Sequence, residues 1–144
     1  MMKHPYLSLV GAIVANAALA LSPVSVSAAS TQARPVIIGL DGAEFDACGS
    51  QGSVRGLKED GDNFLSVREA PATGAAERDR LHNGDAVMLC DSSKDGKWIG
   101  VVYPAAGQTV ADCAVSSPAQ RRAPYAGPCR SGWVASTFVA VTAG

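Results

Sequence analysis

The sequence predicts an all-β domain: a small β-barrel of short strands that carries one long stapled loop. Three observations predict it. Phe64 to Cys90 reads as strand, irregular loop, tight turn and strand, with period-two alternation in Leu65-Ser66-Val67 and a turn signal at Asn83-Gly84-Asp85. Two later pieces, Gly96-Lys97-Trp98-Ile99-Gly100-Val101-Val102 and Gly132-Trp133-Val134, echo that strand chemistry. Four cysteines, an even number, lie downstream of an apolar leader, which favours disulfides in an exported chain.

The leader comes first in the chain. Residues 1–29 carry Lys3, an apolar run from Leu7 to Leu21, Pro23, and then the small residues Ser27-Ala28-Ala29. This is the pattern of a secretory signal peptide. The run is about 15 residues, short of the ~20 that cross a bilayer; the rival is an uncleaved anchor. The remaining ~115 residues suffice for one modest core, so periplasmic or secreted localisation is expected, with no membrane span after signal removal. The 144-residue chain has 12 basic and 13 acidic residues, and loss of Lys3 deepens the negative balance. That excludes the basic stripe of a nucleic-acid binder.

Residues 30–46 are read as an N-terminal linker, within which Pro35-Val36-Ile37-Ile38 is either an edge strand or an apolar stretch of linker. The barrel domain occupies 47–144. Gly52 to Lys58 alternates apolar and polar residues and is its first strand. Glu59-Asp60-Gly61-Asp62-Asn63 follows as a turn; it has the acids of a calcium loop but not the remaining ligands or the closing Glu. Phe64–Arg68 is the second strand, with Leu65 and Val67 inward, ended by Pro71. Ala72–Asp79 is a loop with at most one helical turn at Ala75–Arg78, and Leu81 plugs the core from it. Arg68 is expected to pair with an acid such as Glu69 or Asp85. Ala86–Cys90 is the third strand and Trp98–Tyr103 the fourth. In the latter, Ile99, Val101 and Tyr103 share one face, and Gly100 leaves room on the other for a neighbouring aromatic or a bend.

Residues 104–128 are rich in Pro, Gly, Ala and Ser. A structureless loop of about 25 residues in so small a domain needs a reason, and cysteines at 113 and 129 supply one. The four cysteines allow three pairings and sequence alone does not choose; Cys113–Cys129 is favoured because it staples this excursion, and Cys48–Cys90 because it ties the entry segment to the barrel. Zinc is disfavoured, since there is no Cys-x-x-Cys and His82 is the lone histidine after the leader; no metal or cofactor is expected. Ser131–Ala135 is the fifth strand, Ser136–Phe138 a 3₁₀ turn, and Val139–Val141 returns along the first strand.

Leu65-x-Val67-Arg68-x-x-Pro71, Leu81-x-x-Gly84, Val87-x-Leu89, Gly96-x-Trp98-x-x-Val101 and Gly132-Trp133-Val134 occur in an order that resembles the bacterial SH3 (SH3b) domain family, over Phe64 to Val141. The resemblance implies an SH3-like barrel of five to six strands used as an exported binding module, for cell-wall peptidoglycan or an envelope protein. The 104–128 insertion departs from the simplest members and remodels whatever surface they use.

Candidate ligand-facing residues follow from chemistry. Trp98, Tyr103 and Tyr125 offer aromatic faces to sugar rings or proline-rich peptides. Trp133 is nominated with them; the rival reading for both tryptophans is completion of the barrel core, an equal alternative for Trp98 and the favoured reading for Trp133. Arg121, Arg122 and Arg130 suit a carboxylate or phosphate, with a solvated loop as the favoured rival reading; Arg121 and Arg122 carry the alternative function, an interaction or inhibitory protein that inserts its stapled loop into a partner. No catalytic residue is nominated. His82 sits in a turn, the cysteines are expected to be oxidised, and Ser53, Ser66, Ser116 and Ser117 lack the Gly-x-Ser-x-Gly setting of a hydrolase.

Overall fold

The structure is a computed structural model that describes residue 11 and residues 31–144. The signal-peptide expectation lies outside the described residues, Gly11 apart. Nine strands follow in chain order: β1 Ile37–Ile38, β2 Ser50–Val54, β3 Leu65–Arg68, β4 Glu77–Leu81, β5 Ala86–Ser92, β6 Trp98–Tyr103, β7 Ala123–Pro124, β8 Arg130–Ala135 and β9 Val139–Ala143. Two 3₁₀ turns, Val110–Cys113 and Ser136–Phe138, complete the list. Seven strands form one antiparallel sheet ordered β4-β3-β8-β6-β5-β2-β9, and β1 pairs with β7 in a separate ribbon. The fold is all-β, as expected. The expected closed barrel is not formed by pairing: the sheet ends at β4 and β9, which do not hydrogen-bond to each other.

Chain geometry explains the turns. Asn63 and Gly84 take positive φ (53° and 92°), the backbone conformation for which Asn and Gly are suited. The first long strand ends at Val54, earlier than alternation predicts, and Gly56 turns the chain at φ 79°. The loop expected at 72–79 is loop only as far as residue 76; from Glu77 the structure has β4, paired along β3 from Leu65↔Leu81 to Arg68↔Glu77. Glu-Arg-Asp-Arg does not look like a strand because β4 is an edge strand; charged side chains there stay solvated while the backbone pairs on one side. Leu81 alone among these residues is buried, at 6% exposure, as expected.

β5, β6 and β8 are covered on both faces, so alternate residues enter different cores. The inner core contains Val54, Leu65, Val67, Val87, Val101 and Val134, with Leu81 and Tyr103. The outer core contains Met88, Val102 and Trp133 from the opposite faces of the same strands, joined by Val36, Cys48 and Val115. The outer core is therefore made by laying the N-terminal segment and the 104–128 insertion across the sheet.

That finding corrects the linker expectation for 30–46. Val36 is 2% exposed, and β1 closes on β7 of the insertion. Asp91, whose side chain is 5% exposed, accepts from the Ile37 N–H (3.2 Å) and from Arg34 (3.4 Å). Further in, the Ala47 N–H donates to Ser117 O and the Cys48 N–H to Val115 O. Gly100 makes room not for an aromatic but for Val36: a Cβ there would lie 3.1 Å from Val36 Cγ1 and 2.8 Å from Asp91 Cβ. The segment looks like a linker because it buries Val36 with only two residues of regular strand beside it, while Phe45 stays exposed. Arg68 also differs from expectation; it donates to Ala75 O at 2.8 Å rather than to an acid, and so braces the loop leading into β4.

Both favoured disulfides are present, Cys48–Cys90 and Cys113–Cys129. Each fastens an outer-layer segment: the first ties the N-terminal segment to β5, the second closes the insertion on the start of β8. Two disulfides fit an oxidising compartment. Among the described residues, no helix is long and apolar enough to cross a membrane.

A candidate ligand cleft at the root of the insertion

The outermost strand β4, the end of β6 and the start of β8 meet where the insertion leaves the sheet. Tyr103 and Arg130 are directly opposed in the β6–β8 ladder, which fixes both at the same end. β4 presents Asp79 toward them. The Tyr103 hydroxyl donates to Asp79 Oδ2 at 3.1 Å, and Arg130 Nη1 donates to the same oxygen at 2.7 Å. The Arg80 N–H donates to Asp79 Oδ1 at 2.9 Å. Together with Arg80, Asp85 and the Pro104–Ala106 corner they line a cleft of about 340 Å³.

The electrostatics of the cleft follow from these contacts. Partial burial works to raise the Asp79 carboxyl, but hydrogen bonds from Arg130, the Arg80 N–H and Tyr103 outweigh it and hold the group below the ordinary aspartate range. Burial first, and then the charge of Asp79, push the Tyr103 phenol above the ordinary tyrosine range. The hydrogen bond to Asp79 raises the Arg130 guanidinium further still. At neutral pH the cleft thus holds a fixed carboxylate, a fixed guanidinium and a protonated phenol.

Three arginines around the cleft each have one acidic partner. Arg130 holds Asp79, Arg80 holds Glu77 at 2.6 Å, and Arg78 reaches Glu69 at 3.9 Å. Their side chains are nonetheless 57–59% exposed. A guanidinium with five N–H donors can keep one carboxylate and accept a second anionic group. The guanidinium of Arg80 also lies 4.0 Å from the centroid of Phe64. Phe64, Leu57 and Phe138 line an adjacent apolar hollow of about 320 Å³, so Arg80 links a charged cleft to an apolar one.

The structure separates the residues nominated from sequence. Tyr103 lines the cleft, although only 3% exposed. Trp98 is half-buried against the outer core, on the other face of β6 from Tyr103. Tyr125 packs against that outer core too, and its hydroxyl donates to Cys113 O (2.9 Å) and accepts from the Cys129 N–H (3.0 Å). It braces the disulfide from within the loop. Trp98, Tyr103 and Tyr125 therefore do not form one surface. Trp133 is fully buried; its Nε1–H donates to Arg34 O at 2.7 Å, and the Arg34 guanidinium covers the ring at 4.4 Å. Its nomination as ligand-facing is corrected, and the favoured reading of Trp133 as core holds.

Arg121 and Arg122 are exposed on the insertion, and Arg122 donates to Leu40 O at 3.0 Å, which places them beside the N-terminal segment rather than the cleft. His82 lies in its expected turn, with its N–H on Asp85 at 2.7 Å. Sequence reasoning missed Asp79 and Arg80. Their one signal is the Glu77-x-Asp79-x-Leu81 alternation, which a period-two reading extended through polar residues exposes. Among the described residues, no group of three or more His, Cys, Asp or Glu side chains is placed to hold a metal.

Comparison with protein-family models, with curated proteins and with solved structures found no match.

Proposed function

We propose that this chain is an exported, non-enzymatic binding module with an SH3b-like sheet, periplasmic or secreted, that binds the peptide part of cell-wall peptidoglycan in the Asp79–Tyr103–Arg130 cleft. The observation that carries the proposal is the fixed opposition of charges in one cleft: Arg130 and Arg80 for a carboxylate, Asp79 and Asp85 for an ammonium group. A stem peptide bearing free carboxylates and an amine presents both. The path of the chain supports the SH3b-like part of the proposal, since after a 3₁₀ turn the last strand returns to pair with β2.

The test is co-sedimentation of the oxidised protein with purified sacculi, beside Arg130→Ala and Trp98→Ala. Pelleting of the wild type and of Trp98→Ala, with loss in Arg130→Ala, is the expected result. Absence of the wild type from the pellet overturns the wall ligand; pelleting of Arg130→Ala at wild-type level overturns the cleft.

The interaction or inhibitory reading, with an envelope protein as partner, is favoured by one observation: Arg121 and Arg122 stand exposed on a loop held by Cys113–Cys129 and by β1–β7 pairing. It predicts that replacing both arginines abolishes binding to that protein while Arg130→Ala leaves it intact.

A further inference from the structure

The two ends of the seven-stranded sheet are defended differently. β4 has Glu77, Arg78, Asp79 and Arg80 in consecutive positions, and such charge deters a foreign strand from pairing with the edge. β9 reads Val139-Ala140-Val141-Thr142-Ala143. Among the described residues it pairs with β2 alone, which leaves one side of its backbone without a strand partner among them. No charged side chain occurs from Trp133 to Gly144. Val141 is 63% exposed, one of two large apolar side chains this open among the described residues.

We infer that β9 is the contact of a symmetric dimer, in which two copies of this chain pair β9 against β9, antiparallel, about a two-fold axis. Water satisfies an exposed strand edge in a monomer; a second strand satisfies it and covers the neighbouring apolar side chains as well. A two-fold axis sets β9 against itself with no charged side chain on either strand, and the exposed Val141 side chains are covered in the process. The charged β4 edge is a poor match for β9, so head-to-tail stacking into open fibres is disfavoured and the assembly closes at two. The formal net charge, −1 for the full sequence and −2 once Lys3 leaves with the leader, leaves little long-range repulsion between copies. The inference is independent of the cleft, which lies at the β4 end of the sheet.

Sedimentation equilibrium of the oxidised, exported protein over a concentration series tests it, with amide exchange mapped at both ends of the series. The expected result is a monomer–dimer equilibrium in which protection of 139–143 rises with concentration while that of 77–81 does not. Val141→Lys is expected to weaken the dimer by roughly tenfold or more through the like charges it brings together. Phe45→Ser, which alters the other exposed apolar side chain, is expected to leave the dimer unchanged. A wild-type monomer at every concentration overturns the inference, and this includes the case where β9 instead captures an extended segment of another protein. A dimer whose protection maps away from β9 also overturns it, as does one that survives in a folded Val141→Lys protein.

Discussion

The inner and outer cores share strands β5, β6 and β8 but are built by different means. The inner core is made by alternate residues of paired strands, almost all aliphatic, and holds no disulfide. The outer core is made by two segments with little regular structure of their own, and all four cysteines join it. Where the backbone ladder supplies order, burial suffices. Where the chain must lie across a sheet in irregular conformation, loop entropy is higher, and cross-links together with side-chain braces such as Asp91, Tyr125 and the Thr109–Asp112 contacts (2.7 and 2.9 Å) restrict it. The outer layer depends on the inner sheet as its platform. The sheet does not depend on the outer layer for its hydrogen bonds.

The largest expected effect comes from Trp133→Ala. It removes the largest fully buried side chain and orphans the Arg34 carbonyl, and a cost of about 3–5 kcal/mol is expected, a large fraction of the ~5–15 kcal/mol typical of a domain. Chemical denaturation at neutral pH measures it. Leu65→Ala in the inner core, at about 2–5 kcal/mol, sharpens the contrast: it should weaken both layers together, whereas Trp133→Ala should loosen residues 34–48 and 110–129 first.

Next in size is loss of a cross-link. Replacing Cys48 and Cys90 together by Ala is expected to cost about 2–4 kcal/mol, and Cys113 with Cys129 about 3 kcal/mol or less, because their loop is shorter (16 residues apart against 42). Both tryptophans pack on the outer core, so their fluorescence should shift to the red while the far-ultraviolet strand signal persists. Gly100→Ala should cost ~1–3 kcal/mol by driving a methyl into Val36 and Asp91, seen as a lowered denaturation midpoint with the inner core's exchange unchanged.

The smallest effect concerns pH. The Asp79 carboxyl is held below its ordinary range in the folded state, so its contribution to stability is present above the unfolded carboxyl's pKa and is lost as pH falls through the folded one. Asp79→Asn should lower the midpoint slightly at neutral pH, since an ion pair this open contributes little, and flatten the acid limb by the same small amount, so that wild type and variant converge in acid.

The inner core was largely legible in the sequence. Leu65, Val67, Val87, Val101 and Val134 announce themselves by alternation, Asn63 and Gly84 by turn chemistry, and the cysteines by count and position. The outer core was not. Val36 and Val115 sit in stretches without a period, and burial there is decided by what folds over them from far along the chain. The cleft was half legible. Tyr103 ends an evident strand, but Asp79 and Arg80 lie on an edge strand whose charge conceals it, and no local pattern reveals that Arg130 meets Asp79 across 51 positions.

The most direct measurement is amide exchange on the oxidised protein and on the same protein after gentle reduction. Two separately built layers predict that reduction strips protection from residues 34–48 and 110–129, while β3, β5, β6 and β8 keep theirs. Simultaneous loss throughout the sheet would contradict that account, because the cross-links would then be holding one indivisible core.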